Sequence, residues 1–181
     1  MKRIFLLVLF MTASCSAALG QTTPTSNQSE RRLIDALKAA GNFNTLISFI
    51  EIADFRDLDI KDKKQVTLLA PNDDAFAKLP PGTLDKLKTN PAAIRGLLRG
   101  HTVSGKVMIQ DMLVPVKDEP SKTYKEVKNI RGDVVSIQCS GAHAGEHHPF
   151  INQGAARIGR GDIGFAGGVI QEIDTVLIKD R

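Results

Sequence analysis

The sequence predicts an α+β fold, with a helical N-terminal half and a strand-rich C-terminal half. Three observations predict it. Apolar residues between 32 and 55 recur at helical spacing. From Lys122 onward the pattern changes to short runs rich in β-branched residues, bounded by glycine and polar turns. Between the two, the stretch Thr67-Leu68-Leu69-Ala70-Pro71-Asn72-Asp73-Asp74-Ala75-Phe76-Ala77-Lys78-Leu79 specifies a strand, a corner and a short helix. Helices first and strands last argue against an alternating parallel sheet, and no repeat at a solenoid period is present.

The first element is a targeting segment. Lys2 and Arg3 precede the apolar run Ile4 to Met11, and Ala18-Leu19-Gly20 supplies small residues before Gln21. That is the layout of a secretory signal over residues 1–20, with an apolar run too short to span a bilayer. Export to the periplasm or the extracellular space is expected. The alternative cut is at Cys15, after Thr12-Ala13-Ser14, as the lipid-attachment cysteine of a bacterial lipoprotein. No other stretch is apolar enough to predict a membrane helix.

Removing residues 1–20 takes the net charge from +4 to +2, because Lys2 and Arg3 leave and no acid does. A near-neutral domain gives no electrostatic case for nucleic acid. Of the two cysteines only Cys139 then remains, so no internal disulfide can form and the core alone must hold the fold.

Residues 21–29, QTTPTSNQS, read as a polar tether, and residues 30–181 as a single domain. Leu33, Ile34 and Leu37 place a helix over Arg32 to Ala40, stopped by Gly41. Phe43, Leu46, Ile47, Ile50 and Ala53 form the stripe of a second helix over Asn42 to Phe55. Lys61-Asp62-Lys63-Lys64 reads as a solvated turn. Val66 to Leu69 has the length of a buried strand, and Pro71, which lacks an N–H, ends its register. Asn72 then caps a short helix, Asp73 and Asp74 put negative charge at its positive end, and Phe76 and Leu79 share its inner face.

Further on, Thr83 caps a short helix through Leu87, and Asn90-Pro91 opens another through Arg99. His101 to Val103 reads extended, Ser104-Gly105 turns, and Val107 to Leu113 is a short apolar segment. Strands follow at Tyr124 to Val127, Val134 to Cys139, Phe150-Ile151 and Ala156 to Ile158. The closing run is Val169 to Ile178. Its alternation breaks at Gln171-Glu172, as where a strand bends between two sheets. Asp174 would be costly there if buried unpaired, so it is expected to accept hydrogen bonds from backbone N–H groups or from the corner near Asn72.

Several motifs invite a chemical reading. His143-Ala144-Gly145-Glu146-His147 spells H-x-x-E-H, a zinc-hydrolase pattern that needs both imidazoles on one helical face. Gly141, Gly145 and Pro149 oppose a helix there. Cys139, His143, His147 and His148 fall within ten residues and are the candidate ligands of a noncatalytic Zn²⁺ or copper site. A plain polar hairpin loop is the simpler reading, and no cofactor is expected. Gly100 to Val107 approaches a phosphate-binding loop, but Val107 stands where Ser or Thr must hold Mg²⁺. His101 reads as a structural histidine bonded to nearby backbone. Arg131-Gly132-Asp133 and Arg160-Gly161-Asp162 each spell the tripeptide of animal integrin ligands, a motif short enough to recur by chance. No nucleophile–base arrangement can be argued.

Three ordered stretches carry a resemblance. Residues 67–80, TLLAPNDDAFAKLP, resemble the first signature of the fasciclin domain, in which a strand ends in Ala-Pro and a helix starts near Ala-Phe. Leu97 to Val107 is similar to its middle segment, where a Tyr-His pair precedes a Gly-Lys turn, and Gly168 to Leu177 to its closing Gly-Val-Ile-His-Val-Ile-Asp. Pro71, Asn72, Asp73, Ala75, Phe76, His101, Gly105, Gly168, Ile173 and Asp174 are the matched positions. Gly100 stands for the usual Tyr, Gln171 for the closing His, and Arg131 to Gly154 matches loosely. The resemblance implies a wedge-shaped β-sandwich of two sheets with helices packed alongside, and an exported, noncatalytic adhesion module. Its partner would be a cell-surface or envelope protein or a matrix component. The alternative is a carrier for an apolar small molecule, a lipid or pigment, or for a metal ion at the Cys/His loop.

Overall fold

A computed structural model describes residues 26–53, 65–112, 115–117, 119–140, 149–152 and 155–178. The chain opens with two helices, α1 (Ser26–Ala40) and α2 (Asn44–Ala53), followed by strand β1 (Val66–Pro71). Three helices come next: α3 (Asp73–Ala77), α4 (Thr83–Lys88) and α5 (Pro91–Gly100). Strand β2 (Thr102–Ser104) and the short helix α6 (Ile109–Met112) lead into β3 (Pro115–Val116), β4 (Glu119–Lys128) and β5 (Val134–Ser140). Four short strands finish the fold: β6 (Phe150–Ile151), β7 (Ala156–Arg157), β8 (Ile163–Phe165) and β9 (Gly168–Ile173).

These strands form two sheets, ordered β2-β1-β9-β8 and β3-β4-β5-β6-β7. The fold is α+β, as the sequence predicts. Among the described residues, all strand pairs are antiparallel except β1 with β9, which run parallel from Val66↔Gly168 to Pro71↔Ile173. The first sheet is the middle layer. Leu68, Ala70 and Ile170 join the core under the helices, with Leu37, Phe49, Ile50 and Leu98. Leu69, Val103 and Ile173 face the other way, into a second core with Val135, Ile137, Ile151 and Ile158. Burial on both faces is why Val66 to Ala70 reads as an apolar run rather than an alternating one, with Thr67 its one polar member. Phe49 meets Phe76 edge-on at 5.4 Å, which locks α3 against α2.

Several boundaries differ from expectation. Helix α1 begins at Ser26, six residues before Arg32, so residues 26–29 are helical rather than tether. Its first two turns carry no apolar residue, and periodicity registers only the packed face from Leu33 onward. Strand β1 continues through Pro71. The N–H groups of Val66 and Asn72 point at β9, to the carbonyls of Gly167 and Ile173, whereas that of Leu69 points at His101 on the β2 side. By this alternation the missing N–H of Pro71 falls on the β2 side, beyond the β1–β2 pairing, where no partner is needed. The closing strand ends at Ile173, not Ile178. Ile173 also bridges Ile158, so the chain crosses between the sheets there. The sequence does not predict strand β8, because three residues containing a glycine carry too little pattern. The Lys61–Lys64 turn and residues 1–25 lie outside the described residues.

Candidate functional site

Among the described residues, a pair of clefts lies on either side of Arg131 and the C-terminal segment. Helix α5 builds its floor. Pro91 takes the first helical position, and Asn90 caps it by accepting the Ala93 N–H at 3.1 Å. Ile94, Leu97 and Leu98 bury one side. At the other end His101 is fully buried, with both ring nitrogens in use. Nε2 accepts the Leu177 N–H at 2.9 Å, so the ring proton sits on Nδ1, which donates to the Leu97 carbonyl at 2.8 Å. Burial drives the His101 pKa from 6.5 down to about 4; the Leu97 carbonyl opposes this and the Arg131 charge adds to it. The imidazole is therefore neutral, and it ties the C-terminal segment to the end of α5.

The β4–β5 turn supplies the opposite wall. Asn129 Nδ2 donates to the Gly100 carbonyl at 2.9 Å, and Oδ1 accepts the Asp133 N–H at 2.9 Å. Gly132 turns the chain at φ +90°. Arg131 lies over Gly100, its guanidinium 3.4 Å from where a Cβ would stand, and pairs with Asp133 at 3.2 Å. A Cβ at 100 would already stand in van der Waals contact with this arginine, so a tyrosine, as in the family pattern, would require the Arg131 side chain to move.

One cleft, of about 550 Å³, is lined by Gly100, Arg131, Val134, Asn152, Val176 and Leu177, among others. The second, of about 630 Å³, is lined by Leu87, Ala93, Gly96, Leu97, Leu177 and Ile178, with Arg131 at its end. Arg131, Leu177 and Ile178 line both and form the ridge between them. Val134 and Ile178 are among the few large apolar side chains left exposed. Asn129, Val134, Leu177 and Ile178 were not singled out from the sequence. An apolar residue following the turn Asn129-Ile130-Arg131-Gly132-Asp133 was the signal that could have found Val134.

The signature residues other than His101 lie elsewhere, around β1 and β9. Asn72 Oδ1 accepts the Ala75 N–H at 2.8 Å, capping α3. The Asp73 carboxylate turns away from α3, accepting the N–H groups of Asn44 and Thr45 at 3.1 and 2.8 Å, and so caps α2. Burial alone would raise the Asp73 pKa, but these donors hold it below the usual carboxylate value. Gly168 stands where a Cβ would lie 1.8 Å from the Val66 carbonyl, so only glycine permits the β1–β9 approach. Asp174 accepts the Arg157 N–H at 2.8 Å and is only half-buried. The contact with Asn72 belongs instead to Glu172, whose Oε1 accepts Asn72 Nδ2 at 2.9 Å while Oε2 accepts Arg160 Nε at 2.6 Å. Glu172 is the buried acid of the closing strand, 8% exposed.

Arg160 also donates to the Ala40 carbonyl at 2.7 Å, at the end of α1. Beside it, a Cβ on Gly161 would lie 2.2 Å from Ile109 Cδ1 and 2.5 Å from Gln171 Oε1. Asp162, at φ +57°, accepts the Ile109 N–H at 3.0 Å and Gln171 Nε2 at 2.8 Å. Gln171 also donates to the Val107 carbonyl at 3.0 Å, and so satisfies the position where the family pattern has histidine. Cys139 lies in β5, and His143, His147 and His148 fall outside the described residues.

Comparison with known proteins bears on these features. The family model "Fasciclin domain" matches residues 41–179. An uncharacterized Synechocystis protein, sll1735, is 28% identical over 136 residues, covering 75% of this chain and 89% of that one. Transforming growth factor-beta-induced protein ig-h3 of Sus scrofa is 27% identical over 138 residues, 76% of this chain but 18% of that longer protein. Among solved structures, a FAS1 domain pair from the insect cell adhesion molecule fasciclin I superposes with a TM-score of 0.60 at 16% identity, covering 77% of this chain and 46% of that one.

Proposed function

The chain belongs to the fasciclin family, and from that premise we propose that it is an exported, noncatalytic interaction module acting at the cell envelope or in the matrix. A relative of the same fold is a cell adhesion molecule, which is the kind of work the proposal assigns here. The observation that carries the reading is the pair of clefts divided by Arg131, Leu177 and Ile178, with exposed apolar residues on the rim. Such a surface suits an extended apolar segment of a partner protein. The buried imidazole beneath it commits both nitrogens to backbone, which leaves neither of them facing the clefts to meet a substrate. Residues 1–20 act as the signal and Gln21 becomes the mature N-terminus; acylated Cys15 is the competing outcome, and sequencing the exported protein separates them.

The test is adhesion of protein-coated beads to the producing cells, with Val134→Asp and Ile178→Asp as rim variants. A several-fold loss in both, with circular dichroism unchanged, supports the reading. Full retention places the binding face elsewhere. A second reading, a carrier for an apolar small molecule, is favoured by the Leu- and Ala-lined second cleft, whose size suits a lipid. Native mass spectrometry of the exported protein decides between them: an empty protein supports the module, and added organic mass the carrier. The same spectrum reads out a metal held by Cys139 and its neighbouring histidines.

A further inference from the structure

We propose that His101 is an acid-operated latch, holding the ridge segment Val176–Ile178 closed while its ring is neutral and releasing it when Nε2 takes a proton. The geometry makes the latch depend on one lone pair. Nδ1–H already donates to Leu97, so the Leu177 N–H is held solely by the unprotonated Nε2. A proton from solvent arriving at Nε2 turns that acceptor into a donor and sets two N–H groups against each other. The Nδ1 bond survives this change. The strain falls on the C-terminal segment, which is otherwise held by a short-range bond from Ile178 N–H to the Val176 carbonyl and by the packing of Val176 and Leu177. The adjoining Asp174, by contrast, is anchored through Arg157 and Lys78. Opening is thus confined to residues after 174.

The groups facing the ring favour a sharp response. Helix α5 presents a backbone carbonyl, the C-terminal segment presents a backbone N–H, and β1 is bonded through Leu69 N–H to the His101 carbonyl. The charge acting on the ring comes from Arg131, in the β4–β5 turn, and repels the added proton. In the closed state burial, with this charge added to it, keeps the ring neutral down to a pH of about 4. In the open state the ring meets water and returns to its ordinary value of about 6.5. The opening equilibrium therefore grows by up to about tenfold per pH unit across that interval, roughly 300-fold in all. If the two clefts are the binding face, as proposed above, acid would merge them by removing their shared wall. The latch itself does not depend on that reading.

The experiment is amide hydrogen exchange on the full exported chain between pH 7 and pH 4, corrected for intrinsic exchange, beside ¹⁵N NMR of the imidazole. The expected result is a Leu177 protection factor that falls steeply below pH 6.5 while those of Val66 and Glu172 hold. The neutral ring should carry its proton on Nδ1. The variant His101→Gln, which keeps an acceptor that does not titrate, should give a flat profile. Constant protection at Leu177, a proton on Nε2, or equal loss at all three amides would each overturn the latch. Where His101→Gln does not fold, the wild-type ring spectrum and the Leu177 profile still decide. None of these readouts uses a partner, so loss of the adhesion result alone would remove the binding-face reading and leave the latch standing.

Discussion

The chain contains the tripeptide Arg-Gly-Asp twice, and the two copies do different work. At residues 131–133 it forms the tip of a hairpin. Arg131 closes back on Asp133, Gly132 supplies a left-handed turn with open space around it, and the whole unit lies on a cleft rim. At residues 160–162 the same letters form a structural joint. Arg160 connects the end of α1 to buried Glu172, while Asp162 connects the start of α6 to Gln171. The lesson is that a three-residue motif fixes neither conformation nor exposure. Recognition by a receptor needs both charges available to it. In the first copy they neutralise each other, and in the second both are bound within the domain.

The largest effect expected from this contrast is at the aspartates. Asp162→Ala removes the one carboxylate oxygen that accepts two hydrogen bonds and places alanine at a left-handed φ, for a loss of about 4 kcal/mol. Asp133→Ala should lose about 1 kcal/mol. Equal urea midpoints for the two variants would break the comparison.

Acid should act through His101, beneath the first copy. Between pH 6.5 and about 4 the unfolded chain binds a proton that the folded ring refuses, so stability is complete above 6.5 and falls toward 4. The loss amounts to about 3 kcal/mol across that window. Asp73 and Asp174, both held below 3.8, contribute stability that is lost only at still lower pH. Urea titrations at pH 7 and pH 4.5 should separate the wild type and nearly coincide for His101→Gln. The smallest contrast is at the arginines. Arg160→Ala leaves Glu172 with Asn72 as its remaining donor and should lose about 2 kcal/mol, reduced because Arg160 itself is half exposed. Arg131→Ala should lose at most about 0.5 kcal/mol.

Features written in local sequence were legible: the strand-to-helix corner, the Asn72 and Asn90 caps, and the α+β order. Features that depend on distant neighbours were not. Glu172 follows Gln171 in a strand, and two adjacent polar residues read as a bend or a solvated face. Both are buried because β9 has neighbours on each side and a layer on each face. Their partners, Asn72, Arg160, Val107 and Asp162, come from three other regions of the chain. The same distance explains why the Asn72 corner is met by Glu172, while Asp174 takes the other partner expected of it, a backbone N–H, from Arg157. The cleft walls were hidden for a similar reason, since Arg131 and Leu177 meet only after the two sheets have packed.

The parallel pairing of β1 with β9 has a kinetic consequence. The central strand of the first sheet is contributed by residues about a hundred positions away from its partner, and β8 attaches only to it. Such a contact order predicts slow folding that cannot finish until residue 173 has left the ribosome. A chain obliged to wait in this way remains threadable, which is what the export proposed above would require of it at a secretion channel.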